Sequence, residues 1–267
     1  MTRLAKPNDG PALPFFEAYF SNFIEGTEFA VEEAADIVFR SLMPAGRTAD
    51  GHDVLGTYRV VCDEREMSRL PRNFEELIAL PKSRHGSIME GRPDKGPGRF
   101  KTEPNRAGST LFVAPELVHG TLAKGFEIYR GLANPLDRAI FMMFLISEVH
   151  PLADGNGRVS KVMMNAELVA AGECRIIVPT VYRNNFLSAL KALSMNGITG
   201  AVARVVDFAQ RYTLAIDFSD VEKAHGMLER THAFVDANEA DSAGIRLMLP
   251  TPENAGYMTI ENKPIPA

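Results

Sequence analysis

The run "AIFMMFLISEV", Ala139 to Val149, closed by His150 and Pro151, most constrains the fold. A helix that is apolar nearly all round cannot lie on a surface, so this one must be central, with other helices packed about it. Asn134 offers an N-cap and Pro135 a first helical position. Pro151 disfavours helical geometry at the residue before it, which predicts a stop at His150. A second helix is expected after Gly155 and Gly157. Val159, Val162, Met163, Ala166 and Ala170 mark its buried face, and Gly172 closes it.

The rest of the chain reads as further helices. Residues 14–42 predict two, with Phe16, Tyr19, Phe20 and Phe23 on one apolar face. Gly26 should end the first, and Thr27 should cap the second with Glu28 in its first turn. "MPAGRTADGHD" reads as a loop and "FEELIAL" as a short helix. Residues 81–109 are rich in Gly, Pro, Lys and Arg and predict a long irregular segment. Next to it "GSTLFVAP", bounded by Gly and Pro, predicts a strand or hairpin. From Pro115 the chain turns helical, with helices over 179–195, 199–216 and 219–240, and an extended tail after Pro250. The sum is a mostly α chain with one β-hairpin. Its expected parts are a helical segment over 1–50, a core over 51–215, and a C-terminal helix and tail over 216–267.

Composition narrows the function. Lys and Arg total 29 against 34 Asp and Glu, a net charge of −5. That argues against general nucleic-acid binding, which needs a basic face. No apolar run approaches the roughly 18 residues of a membrane span. The N-terminal residues lack the apolar core of a signal peptide. Cys62 and Cys174 stand apart, as reduced thiols in a cytoplasmic protein do. The sequence has no HExxH, paired Cys set or GxSxG elbow. "GTLAKGFE" mimics a P-loop spacing, but Phe126 stands where its lysine should be.

The chemistry gathers in "HPLADGNGRVSK", His150 to Lys161. Gly155 and Gly157 around Asn156 allow backbone turns in which N–H groups converge on an anion. A helix starts there, and its free N–H groups and positive dipole end add to the same site. Arg158 and Lys161 bring charge to that helix start. Asp154 offers a hard oxygen ligand of the kind Mg²⁺ takes beside nucleotide phosphates. His150 can accept a proton near neutral pH. The residue types spell polyphosphate, magnesium and a base that activates a hydroxyl. A plain turn between two helices remains the other reading of the same residues.

This segment resembles the signature of the Fic (Fido) family, His-x-Phe-x-Asp/Glu-Gly-Asn-Gly-Arg-x-x-Arg. The resemblance implies a Fic helical core with a β-hairpin flap, and transfer of AMP from ATP to a Ser, Thr or Tyr hydroxyl of a target protein. It implies that His150 is the general base and that Asp154 holds Mg²⁺. Gly155, Asn156, Gly157 and Arg158 would bind phosphates. Lys161 would stand where the family has its second Arg. Leu152 replaces the usual Phe, and a lysine lacks the planar fork of an arginine. "GSTLFVAP" sits where the family carries its flap, with Thr110, Leu111, Phe112 and Val113 expected to hold the target. "SNFIEG" resembles the family's inhibitory motif, so Ser21, Glu25 and Gly26 would form it, with Glu25 paired to Lys161. "THAFVDANEADSAGIRLMLP" resembles the C-terminal stretch of many bacterial members.

Three readings stand open on these residues. The leading one is an autoinhibited protein adenylyltransferase. Another keeps the fold but transfers a different phospho-group or nucleotide, or removes AMP. The third is a nucleotide-sensing regulator without activity. The expected ligands are ATP and Mg²⁺. The expected partner is a target protein, this chain itself included, with homodimerisation possible on the family's pattern.

Overall fold

The structure is a computed structural model that describes residues 10–108 and 110–250. The segment after Pro250 and the flap residue Ser109 lie outside the described residues. In chain order the helices are α1 Ala12–Ile24, α2 Val31–Arg40, α3 Thr48–Cys62, α4 Glu64–Met67 and α5 Phe74–Ile88. Strands β1 Arg106–Ala107 and β2 Thr110–Leu111 follow. Then come α6 Val118–Arg130, α7 Pro135–Val149, α8 Asn156–Ala170, α9 Arg183–Asn196, α10 Thr199–Ala215, α11 Val221–Arg230 and α12 Ala237–Ala243. Among the described residues no helix is long and apolar enough to cross a membrane.

The described residues form two compact units, 10–20 with 173–250, and Ser21–Gly172. In the second, α7 and α8 form an antiparallel hairpin at the centre. Asn134 caps α7 as its sequence predicts: its Oδ1 accepts from the Leu136 and Asp137 N–H groups at 2.9 and 3.2 Å. The α7 side chains Met142, Met143 and Ile146 are fully buried. Helix α8 is buried on nearly every side from Asn156 to Leu168, while Ala170, expected in its buried face, is exposed at the end of the helix. Glu167 is buried on α8 and takes hydrogen bonds from Tyr129 on α6, at 2.7 Å, and Arg138 on α7, at 2.9 Å. A buried carboxylate is tolerated when it is paired in this way.

In the other unit the apolar face of α1 forms an aromatic cluster. Phe20 stacks on Phe234 at 5.3 Å, and Phe16 meets Phe218 and Phe234. Glu17 and Arg175 pair at 2.9 Å within it, both side chains buried.

Four expectations need correction. Helix α2 begins at Val31, not at Thr27, because the Thr27 N–H goes back to Asn22 O and the Glu33 carboxylate takes the Ala30 N–H. Helix α3 takes in the second half of the expected loop from Thr48, with Gly51 inside the helix and close against Met43 and Pro44. Helix α5 runs on through Pro81 to Ile88, so the irregular segment starts later than residue 81. The expected 219–240 helix is two, α11 and α12, broken where His232 takes φ +67°.

Candidate active site

His150 is the C-cap of α7 and sits in the left-handed region, φ 49° and ψ 57°, with its N–H on Ile146 O. Its ring Nδ1 lies 3.1 Å from Ser147 O. A carbonyl can only accept, so Nδ1 carries the proton and Nε2 keeps its lone pair. Burial pushes the imidazole below its usual pKa, and Lys101 pushes the same way. The Ser147 carbonyl, Glu25 and Asp154 oppose them without prevailing. At neutral pH the ring is therefore an uncharged base.

The loop after it is locked from inside. The Asn156 side chain accepts from Leu152 N at 2.9 Å and donates to Leu152 O at 2.8 Å. Leu152 is fully buried, which suits the apolar position where the family's signature has Phe. From outside, Lys101 N donates to Pro151 O, and Asn105 Nδ2 donates to Leu152 O. Gly155 then turns the chain at φ +71° into α8. A side chain there would press on Met89 and His85. His85 is fully buried beside it and accepts the Gly98 N–H on Nδ1. Burial first, then the nearby Arg158, lowers its pKa to about 4.

The start of α8 holds a carboxylate. Beyond Ile24 the chain makes a tight turn, in which Asn22 O accepts from both Glu25 N and Thr27 N and Gly26 takes φ +87°. That turn points Glu25 at α8. Its Oε1 accepts from Lys161 Nζ at 2.5 Å. A Cβ on Gly157 would overlap the same carboxylate, so the anion rests directly against the backbone of the first turn. Free N–H groups and the helix dipole favour an anion there. Burial raises the Glu25 carboxyl pKa, but Lys161, with Arg158 and His150, outweighs it and holds the group below the ordinary range. Ser21, in the same segment, is buried with its hydroxyl unpartnered.

Arg158 lies one residue beyond Gly157 and is buried. Its Nη1 donates to Asp53 on α3 and to Asn22. Asp154 is nearly half exposed, and its Oδ1 accepts the Gly155 N–H at 2.7 Å.

The flap is a two-residue pairing, Arg106 with Leu111 and Ala107 with Thr110. Phe112 and Val113 lie beyond it. The Phe112 ring stacks on the His150 imidazole, centroids 3.7 Å apart and planes 5° from parallel. Leu111 is strongly exposed.

The residues singled out in "HPLADGNGRVSK", the flap and "SNFIEG" all fall in the second unit, where Glu25 meets Lys161 and Gly157 and Phe112 meets His150. Sequence reasoning missed Asp53, Asn22, His85, Lys101 and Asn105. Asn22 lies inside a motif that was read for other positions, and Asp53 lay in the presumed loop. No pattern marked His85, Lys101 or Asn105.

Comparisons with known proteins agree with this fold. A Fic-domain signaling protein from Bacteroides thetaiotaomicron shares the fold, with TM-score 0.65 and 14% identity over 90% of each chain. Fic-1 of C. elegans matches with TM-score 0.62 and 18% identity, over 80% of this chain and 63% of that one. Residues 78–168 match the Fic/DOC family model. Those residues, which include the segment His150 to Lys161, are similar to a Fic domain. The protein adenylyltransferase Fic of Drosophila willistoni is 24% identical over 208 residues, 73% of this chain and 41% of its own length. That of Drosophila yakuba is 23% identical over 211 residues, with the same coverage. This chain spans about two fifths of the length of these curated relatives.

Proposed function

We propose that this chain is a protein adenylyltransferase that moves AMP from ATP to a hydroxyl side chain of a protein, and that Glu25 holds it in check. The observation that carries this reading is the Glu25 carboxylate seated on Lys161 and Gly157 at the start of α8. A place that binds one anion by charge and by backbone N–H groups fits a phosphate as well.

The roles follow from position. His150 Nε2 takes the proton of the acceptor hydroxyl. The freed oxygen attacks the α-phosphorus, the bond to the β-phosphate oxygen breaks, and pyrophosphate leaves. The start of α8 and Lys161 hold the phosphates in line for that attack. Asn156 holds the loop shape and contributes its backbone N–H. Asp154, an open carboxylate beside the loop, would hold a magnesium ion, which would supply positive charge against the phosphates. The hairpin Arg106–Leu111 carries the acceptor segment past His150, with Phe112 as the apolar wall of the slot. Glu25 fills the phosphate place, so ATP must displace it or bind with its tail turned.

Adenylyltransferases as relatives support AMP as the group transferred. The test is incubation of wild-type and Glu25→Gly protein with α-labelled or γ-labelled ATP and a cell lysate. Protein-bound label from the α position only is the expected result. Label from γ alone would make the chain a kinase, and no label from either protein would leave a nucleotide sensor.

A further inference from the structure

The Asp53 carboxylate on α3 is fully buried, and it lies outside both the signature and the 78–168 match. Its Oδ2 accepts from Arg158 Nη1 at 2.5 Å and from Arg92 Nε at 2.7 Å. Arg92 Nη2 goes on to Asp50 at 2.5 Å. Asp50 also accepts from Arg47 Nε at 3.0 Å, and Asp154 stands 4.0 Å from Arg158 Nη2, so three carboxylates alternate with three guanidiniums in a chain of zero net charge. Arg158 adds one neutral contact, 3.3 Å to Asn22 Oδ1 in the turn that presents Glu25. Asp53 Oδ1 and Arg158 Nε are buried and unpartnered, so the pair is held by charge through one edge.

This matters for what the start of α8 can bind. Arg158 follows Gly157 directly, yet its charge is already matched. The cation paired with an anion against Gly157 is Lys161. Added positive potential stabilises a polyphosphate several times more than a single carboxylate, because the energy scales with ligand charge. A matched Arg158 thus favours the weaker anion, which here is Glu25.

We propose that Asp53 is a positioning and specificity-determining residue of the phosphate site: it neutralises Arg158 and so lets a single carboxylate, Glu25, compete with nucleotide phosphates. The proposal rests on the nucleotide reading above and adds the residue that sets the balance within it.

The test uses MgADP, which binds without transfer, and calorimetry on the full chain carrying Glu25→Gly, where no carboxylate competes. Adding Asp53→Asn, which keeps the shape and removes one negative charge, tightens MgADP about tenfold, the size of effect a close charge pair carries. Adding Asn22→Asp instead sets a second carboxylate on Arg158 and weakens MgADP by about the same factor, with no fall in melting temperature. A merely structural Asp53 weakens binding when changed, and that result, or no change in folded protein, overturns the proposal. If Asp53→Asn does not fold, Asn22→Asp decides: unchanged MgADP affinity overturns the proposal, and weaker binding at full stability supports it. A Glu25→Gly protein that binds no MgADP at all overturns the nucleotide reading itself, and this proposal with it.

Discussion

Glu25 Oε1 and Lys161 Nζ meet at 2.5 Å although 136 positions separate them in sequence, and the Lys161 side chain is almost fully buried at the contact. Hydrogen bonds to charged groups contribute about 1.5–3 kcal/mol each, so the pair is strong enough to bias a competition and weak enough to lose one. Glu25→Gly is therefore expected to raise AMP transfer by about tenfold or more, while the melting temperature moves by only a few degrees. Lys161→Ala should not mimic it, because that change removes the phosphate contact together with the inhibitory one. The check is α-label incorporation by the three proteins side by side. Equal rates for wild type and folded Glu25→Gly would sink the inhibitory role.

His150 is the candidate base on position and tautomer. His150→Ala, placed in the Glu25→Gly protein, should lower transfer by about 10²- to 10⁴-fold, the usual range for a general base. MgADP affinity should change little, since the ring touches Ser147 O and Phe112 rather than the start of α8. A parallel loss of binding and transfer would assign the ring a structural part instead.

Much of this was legible in the sequence, for identifiable reasons. The α7–α8 pair could be read because its signals are local: an apolar run, a capping Asn-Pro, and glycines at the turn. The start of helix α3 was hidden because Pro44, Gly46 and Gly51 give "MPAGRTADGHD" the composition of a loop. Only the packed structure shows Gly51 inside the helix, close against Met43 and Pro44. Pro81 hid the second half of α5 in the same way. Glu25 and Lys161 could be paired from sequence only through the resemblance. Asp53 could not be found at all, since a lone Asp between two glycines carries no pattern, and its meaning comes from two arginines at positions 92 and 158.

The acid side of the pH profile follows from His150. Its pKa is lowered by burial and Lys101, with Ser147, Glu25 and Asp154 acting the other way. The base works when neutral, so transfer should rise with pH through a value below the ordinary 6.5 and be level by neutrality. Glu25 is held below its ordinary 4.5 and stays charged across that range in the wild-type protein, and it is absent from the Glu25→Gly protein, so it shapes the limb in neither. Folding linkage has a definite sign as well. A lowered carboxyl pKa makes the Glu25 contribution to stability full above about pH 5 and lost as pH falls through the folded value. The measurement is kcat against pH for the Glu25→Gly protein. An acid limb centred well above 6.5 would remove His150 from the role.

Gly157 offers the sharpest check that Glu25 and phosphate share one place. A Cβ there would overlap the carboxylate, so Gly157→Ala should expel Glu25 as surely as Glu25→Gly does. Stability should change little, because alanine in a helix gains about 1 kcal/mol over glycine and offsets part of the lost ion pair. If release of the carboxylate were all that activity needs, the two variants would behave alike. They should not, since the new methyl also stands where a phosphate oxygen must approach the first turn. Crowding of this size costs about 1–3 kcal/mol, so MgADP affinity in a Glu25→Gly background should fall about fivefold to 150-fold when Gly157→Ala is added. Transfer should fall with it. Calorimetry with MgADP and α-label incorporation read the two effects separately, and a Gly157→Ala protein as active as Glu25→Gly would show that the phosphates lie somewhere else.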